Sequence, residues 1–189
     1  MTFNEYILDN ILKYNPEYAG GNTNHLSISL FALKEIGGTP QEMKAFYEKY
    51  IEQLEAHEFP DKLEKFTTVE EYFGEPELYE ACAFWLNAEI EEKGSATVLK
   101  DILPKTIHGI CSAAFHTLIR LASAIEMNIP QEIAAALAFY ITRAEVLEYL
   151  PTTLEDLPKG ADLFSVLDTL RTNEKITYLK TEGLLSTKI

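Results

Sequence analysis

An all-α, multihelical fold is predicted by three observations. Apolar residues recur at helical spacing in several segments, glycine and proline fall mostly between those segments, and no stretch shows convincing strand alternation. The 189 residues can bury a real core and are read as one domain, 1–189.

The elements follow in order. Thr2 and Glu5 fit a capping box, and Ile7, Leu8, Ile11 and Leu12 form the stripe of a first helix ending near Asn15–Pro16. After a loop with Gly20–Gly21, Asn24 is a plausible N-cap for a helix over 24–36, with His25 in its first turn and Ile28, Ser29, Ala32 and Ile36 on one face. Gly37–Gly38 stop it, and Pro40 opens a helix to about Glu55 whose buried stripe is Met43, Phe46, Tyr47, Tyr50, Ile51 and Leu54. Residues 57–67 read as a loop with a solvated His57, and Thr67 or Thr68 caps a short turn before Gly74. Pro76 starts a segment that is helical up to Gly94, with Leu78, Cys82, Trp85, Leu86 and Ile90 inward. Ser95 caps a helix that ends or kinks at Pro104. Beyond Pro151 the signals weaken: one more helix over 162–171, then a docked arm or frayed tail over 173–189.

The stretch 104–148 is the longest that is low in charge, and between Ile107 and Ile125 the only fully charged residue is Arg120. So apolar a run reads as a helix buried on most sides, restarted as a second helix at Pro130. Two histidines and an arginine inside it are costly unless they are hydrogen-bonded or bound to something.

Sixteen basic against thirty acidic residues give a net charge of -14, which disfavours nucleic acid and anionic membranes as partners. The first residues lack a signal peptide's basic region and apolar core, and no apolar run spans a bilayer, so a cytoplasmic protein is expected. Cys82 and Cys111 read as reduced, mostly buried thiols.

PQEMKAFYEKYI (40–51) aligns with PQEIAAALAFYI (130–141), coinciding at six of twelve positions with an offset of ninety; His25 and His116 are offset by ninety-one. One reading is shared helix-start chemistry. The other is an internal repeat of two related hairpins, about 24–55 and 107–148, each bringing one histidine to a shared interior. His25 and His116 are then either core residues or metal ligands projecting from facing helices. His108 lies eight residues before His116, about 12 Å along a continuous helix and about 80° around it, so both reach one ion only if the helix breaks near Gly109. Arg120, one turn past His116, reads either as half of a buried salt bridge with Glu126 or another helix's carboxylate, or as a contact to an anion or oxygenated substrate. No GxGxxG, Walker, GxSxG, CxxC, HExxH or ExxH signature is present.

The TNH of 23–25 with Ala32–Leu33 and Gly37, AAFHTLIRLASAIE (113–126) and ALAFY (136–140) together resemble motifs of the questin oxidase-like family, of which this chain looks like a short relative. The resemblance implies an all-α oxidoreductase that uses oxygen to oxidise aromatic polyketides, at a non-haem iron held mainly by histidines. His25 and His116 would carry over as ligands, with His108 as a further candidate, and Arg120 would lie near a hydrophobic small-molecule substrate. NADPH is the electron donor to consider, and a homodimer could complete the ligand set. The competing expectation is a non-catalytic helical module that binds a small hydrophobic molecule or dimerises.

Overall fold

The computed structural model describes residues 1–57 and 67–145. They fall within the first of two units, 1–147, so the single-domain expectation and the elements expected over 162–171 and 173–189 extend beyond them. Among the described residues there are seven α-helices and one two-stranded hairpin: α1 (Phe3–Lys13), β1 (Glu17–Tyr18), β2 (Asn22–Thr23), α2 (Leu26–Glu35), α3 (Pro40–Tyr50), α4 (Tyr79–Lys93), α5 (Ser95–Thr106), α6 (His116–Met127) and α7 (Pro130–Thr142). The all-α expectation holds, apart from that hairpin.

Local chemistry sets most boundaries. Both halves of the Thr2–Glu5 capping box are formed at α1, and Thr39 and Glu42 build the same device at α3, where Pro40 takes the first helical position. Thr68 and Glu71 repeat it on a 3-10 turn, Val69–Glu71. The Gly20–Gly21 loop is the turn of the antiparallel hairpin, pairing Glu17 with Thr23 and Tyr18 with Asn22. In α5 the helix runs through Pro104 to Thr106, whose hydroxyl donates to the Ile102 carbonyl at 3.2 Å. Gly94 rather than Ser95 is its N-cap.

Helix α7 is the centre. From Glu132 to Thr142 every residue is buried, because neighbours cover it all round. Its run Ala134–Ala136 and Ala138 lets backbones come close, while Leu137, Phe139, Tyr140 and Ile141 fill the gaps, as close packing requires. One core cluster joins α7 to α4, α5 and α6 through Cys82, Leu86, Ile102, Leu121 and Phe139, among others. A second gathers Tyr6, Ile7, Leu26, Leu30, Tyr47 and Ile129, with the expected α3 stripe partly buried against it. Cys82 and Cys111 are unlinked, and burial raises the Cys82 thiol well above its ordinary pKa.

Two expectations fail for physical reasons, and the stripe noted on α2 is not its buried face. On α2 the buried face is Leu26, Ser27 and Leu30, not Ile28, Ser29, Ala32 and Ile36; Ile36 is 82% exposed. This short helix is apolar on several sides, so spacing alone could not choose its face. The central stretch is not one helix from 107: a 3-10 turn over Ile107–Gly109 is followed by three left-handed residues, Ala113 (φ 47), Ala114 (φ 51) and Phe115 (φ 68), and α6 starts only at His116. Tertiary contacts hold that break. A Cβ on Gly109 would lie 2.8 Å from the Ala144 Cβ, and the Ser112 hydroxyl accepts from the Glu145 amide at 2.7 Å. His57 is also not solvated. Its amide donates to the Lys13 carbonyl at 2.9 Å, and this places its side chain, 2% exposed, against Tyr79 and Glu80.

The polar exception in the core is an ion pair. Arg120 of α6 donates from Nε to Glu132 Oε1 at 3.0 Å and from its terminal nitrogen to Oε2 at 3.3 Å, with both side chains almost wholly buried. Truncating one member leaves the other charge uncompensated in a low-dielectric interior, whereas replacing both by apolar side chains removes two desolvation costs. Glu132→Ala is expected to lower unfolding free energy by about 3–5 kcal/mol. The double replacement Arg120→Met/Glu132→Leu should recover most of that loss in urea titration.

A histidine pair above a buried ion pair as candidate functional site

The two hairpins bring their leading histidines together. The rings of His25 and His116 lie edge to face with centroids 5.1 Å apart, although ninety-one residues separate them in sequence. Each stands at the start of its helix: His25 is the N-cap of α2, and His116 is the first residue of α6.

A satisfied polar network holds the chain around His25. Asn24 accepts from the Leu26 amide at 3.0 Å and donates to Asn10 Oδ1 at 2.9 Å and to the Asn15 carbonyl at 3.1 Å. Asn10 in turn donates to the Ser27 hydroxyl at 3.0 Å. The His25 amide donates to the Tyr50 hydroxyl at 3.0 Å, which ties α3 to the same point. Buried amides are stable here because their hydrogen-bonding groups find partners.

His116 is fixed by different means. The left-handed run Ala113–Phe115, costly for residues with a Cβ, turns the chain so that the Ala113 carbonyl lies 2.7 Å from His116 Nδ1. A carbonyl can only accept, so Nδ1 carries a proton and Nε2 is the ring nitrogen left for a further contact. A ring nitrogen of His25 likewise donates to the Thr23 backbone. Ligating histidines commonly show this arrangement, with one nitrogen held by a backbone carbonyl and the other left as a donor to a metal or a proton.

The electrostatics bias His25 toward its neutral form. Burial is the largest influence on His25 and lowers its pKa; His116 and the Arg120 guanidinium lower it further, against the Thr23 hydrogen bond, which raises it. Arg120 lies four residues beyond His116, the next turn of α6. Its guanidinium is committed to Glu132 and to the Tyr79 phenol, and lies 6.0 Å from the Phe139 ring centre. Burial pushes that phenol up to about 12, so Tyr79 stays protonated.

Of the two readings of Arg120, the structure has the salt bridge, with Glu132 rather than the exposed Glu126 as partner. The Arg120 guanidinium is turned into the core toward Glu132 rather than toward solvent. His108 does not join the pair in one cluster: it is exposed on the 3-10 turn, and among the described residues no group of three or more His, Cys, Asp or Glu side chains could hold a metal ion. His25 and His116 therefore bring two imidazoles together but supply only two donors. Sequence reasoning missed Glu132, Tyr79 and His57. Glu132 had a signal: it is the only charged residue of α7, as Arg120 is nearly alone in the stretch before it.

Comparison with known proteins agrees with this architecture. A family model described as questin oxidase-like matches residues 22–187, a span that takes in both histidines and Arg120. The chain is also 32% identical over 130 residues to "Oxidoreductase AflY" of Aspergillus parasiticus, a match covering 62% of this chain and 26% of that protein. The chain thus spans only about a quarter of that curated relative. With the family model matched over most of its length, this chain belongs to the questin oxidase-like family.

Proposed function

We propose that the chain is an oxidoreductase acting on a hydrophobic, oxygenated aromatic small molecule, with His25 and His116 as two protein ligands of a non-haem iron. The convergence of these rings from two hairpins is the observation that carries the reading. Family membership and the oxidoreductase relative support its direction. Iron, when bound, supplies oxygen activation, and NADPH is the electron donor proposed for it.

The chain's own residues have defined tasks. The Ala113 and Thr23 backbones fix the tautomers, and burial with the Arg120 charge keeps His25 unprotonated, as a ligand must be. Glu132 and Tyr79 hold Arg120 in place. Because a mononuclear iron site takes more than two protein donors, the remaining ligands come from outside the described residues, from a rearranged His108, or from a second subunit of a cytoplasmic homodimer. On the repeat reading, each hairpin contributes one equivalent ligand.

Metal analysis after anaerobic purification with iron supplied tests this. The parent is expected to carry near-stoichiometric iron, and His25→Ala/His116→Ala to lose it together with oxygen consumption. Iron in neither protein, with unchanged folding, would instead favour a non-catalytic small-molecule-binding module.

A second expectation concerns the metal-free protein. Because the His25 pKa is lowered on folding, the unfolded chain takes up that proton first as pH falls. The stability contribution is complete above the ordinary histidine value of about 6.5 and is lost as pH drops below it toward the folded value. NMR titration should place His25 below about 6.5, and His116→Gln should move it upward. In His25→Gln, melting temperature should fall less steeply than in the parent over that acidic window.

A further inference from the structure

A cavity of about 320 Å³ opens between α1, α4 and α7, on residues that, Tyr79 apart, the histidine site does not use. Ile11 and Leu12 of α1, Ala83 and Phe84 of α4, and Ala134 and Ala135 of α7 contribute to its walls. Its volume falls at the small end of the range of roughly 300–1,000 Å³ typical of small-molecule sites. Such sites pair apolar walls with a few placed polar groups, and this one does the same.

The polar groups converge on His57. Its Nδ1 lies 3.3 Å from Glu80 Oε1, its Nε2 lies 3.1 Å from the Ile11 carbonyl, and its ring stacks on Tyr79 at 5.9 Å with an interplanar angle of 11°. His57, Tyr79 and Glu80 all line the cavity. The Tyr79 phenol is already engaged by Arg120, and Asn87 and Gln131 add neutral amides to the lining, so the Glu80 carboxylate, 17% exposed, is the charged acceptor available to an occupant. Among the described residues, Glu80 is the only carboxylate that lines the cavity, and no lysine or arginine lines it. In a chain of net charge -14, that lining repels an anion and accepts a hydrogen-bond donor.

We propose that this cavity is a binding site for a compact, neutral, lipophilic molecule bearing one hydroxyl or other hydrogen-bond donor, which the site reads with Glu80 beside His57. The inference deepens the small-molecule part of the proposed function, on which it rests, and is independent of iron. Tyr79 links the two regions: one side of it stacks on His57, and its phenol meets Arg120 beneath the histidine pair.

Calorimetric titration of the full chain with 2-naphthol, and with 2-naphthoate as its anionic counterpart, tests the assignment. The expected result is one saturable 2-naphthol site, with 2-naphthoate bound at least about ten-fold more weakly. Ala83→Phe, which fills the cavity, should weaken 2-naphthol by about ten-fold or more without changing the helical circular dichroism. Leu12→Trp, at a largely exposed rim position, serves if Ala83→Phe fails to fold. Glu80→Leu should weaken 2-naphthol and narrow its preference over 2-naphthoate. Absence of saturable binding, equal binding of both probes, or indifference to the cavity-filling variants would overturn the site. His25→Ala/His116→Ala should bind 2-naphthol like the parent. Lost iron with retained naphthol binding keeps this site apart from the redox reading, and the converse removes the site while leaving iron in place.

Discussion

The burial of α7 on all sides is the constraint from which the other features follow. A helix with no solvent face cannot carry a charge unless that charge is neutralised inside the protein, and Glu132 is neutralised by Arg120 of α6. The bidentate geometry fixes how α6 lies on α7. Since α6 begins at His116, it also fixes where that ring stands relative to α2. The ion pair is therefore better understood as a registration device than as a source of net stability, because desolvating two charges offsets much of their attraction.

This arrangement accounts for the state of the histidines. A permanently charged guanidinium on the next turn of α6 opposes protonation of the half-buried His25, while Glu132 compensates that charge inside the core. The backbone carbonyls of Thr23 and Ala113 then select the tautomers. Local strain contributes as well. Three successive left-handed residues ahead of His116 would be unfavourable in isolation, and they persist because Ser112, Gly109 and the end of α7 hold the turn closed.

Much of this was legible in the sequence. The capping boxes at Thr2 and Thr39, the proline starts of α3 and α7, and the unusual apolarity of 104–148 follow from local chemistry, and the equivalent placement of His25 and His116 anticipated that they meet. What escaped depends on contacts distant in sequence. His57 is buried because its backbone pairs with the end of α1, forty-odd residues earlier, which no local window reveals. The break before His116 replaces a helix that propensity favours, and the packing of Gly109 against Ala144 with the Ser112–Glu145 hydrogen bond explains it. Glu132 sits in a Pro-Gln-Glu run that suits any helix start, although a lone carboxylate on an otherwise uncharged helix is also the natural counterpart of a lone arginine.

The alanines of α7 act as a spacer gauge. Ala134 and Ala135 line the cavity shared with α1 and α4, and Ala134, Ala136 and Ala138 belong to the core cluster joining α4, α5 and α6. The size of these methyl groups sets two widths at once: the opening beside His57, and the separation of the helices that carry Arg120 and Tyr79. Enlarging a side chain on one face closes the cavity, and on the other it pushes apart the supports of the histidine pair. The tolerances of both regions are thus machined into a single helix, and neither can drift far in shape without the other registering the change.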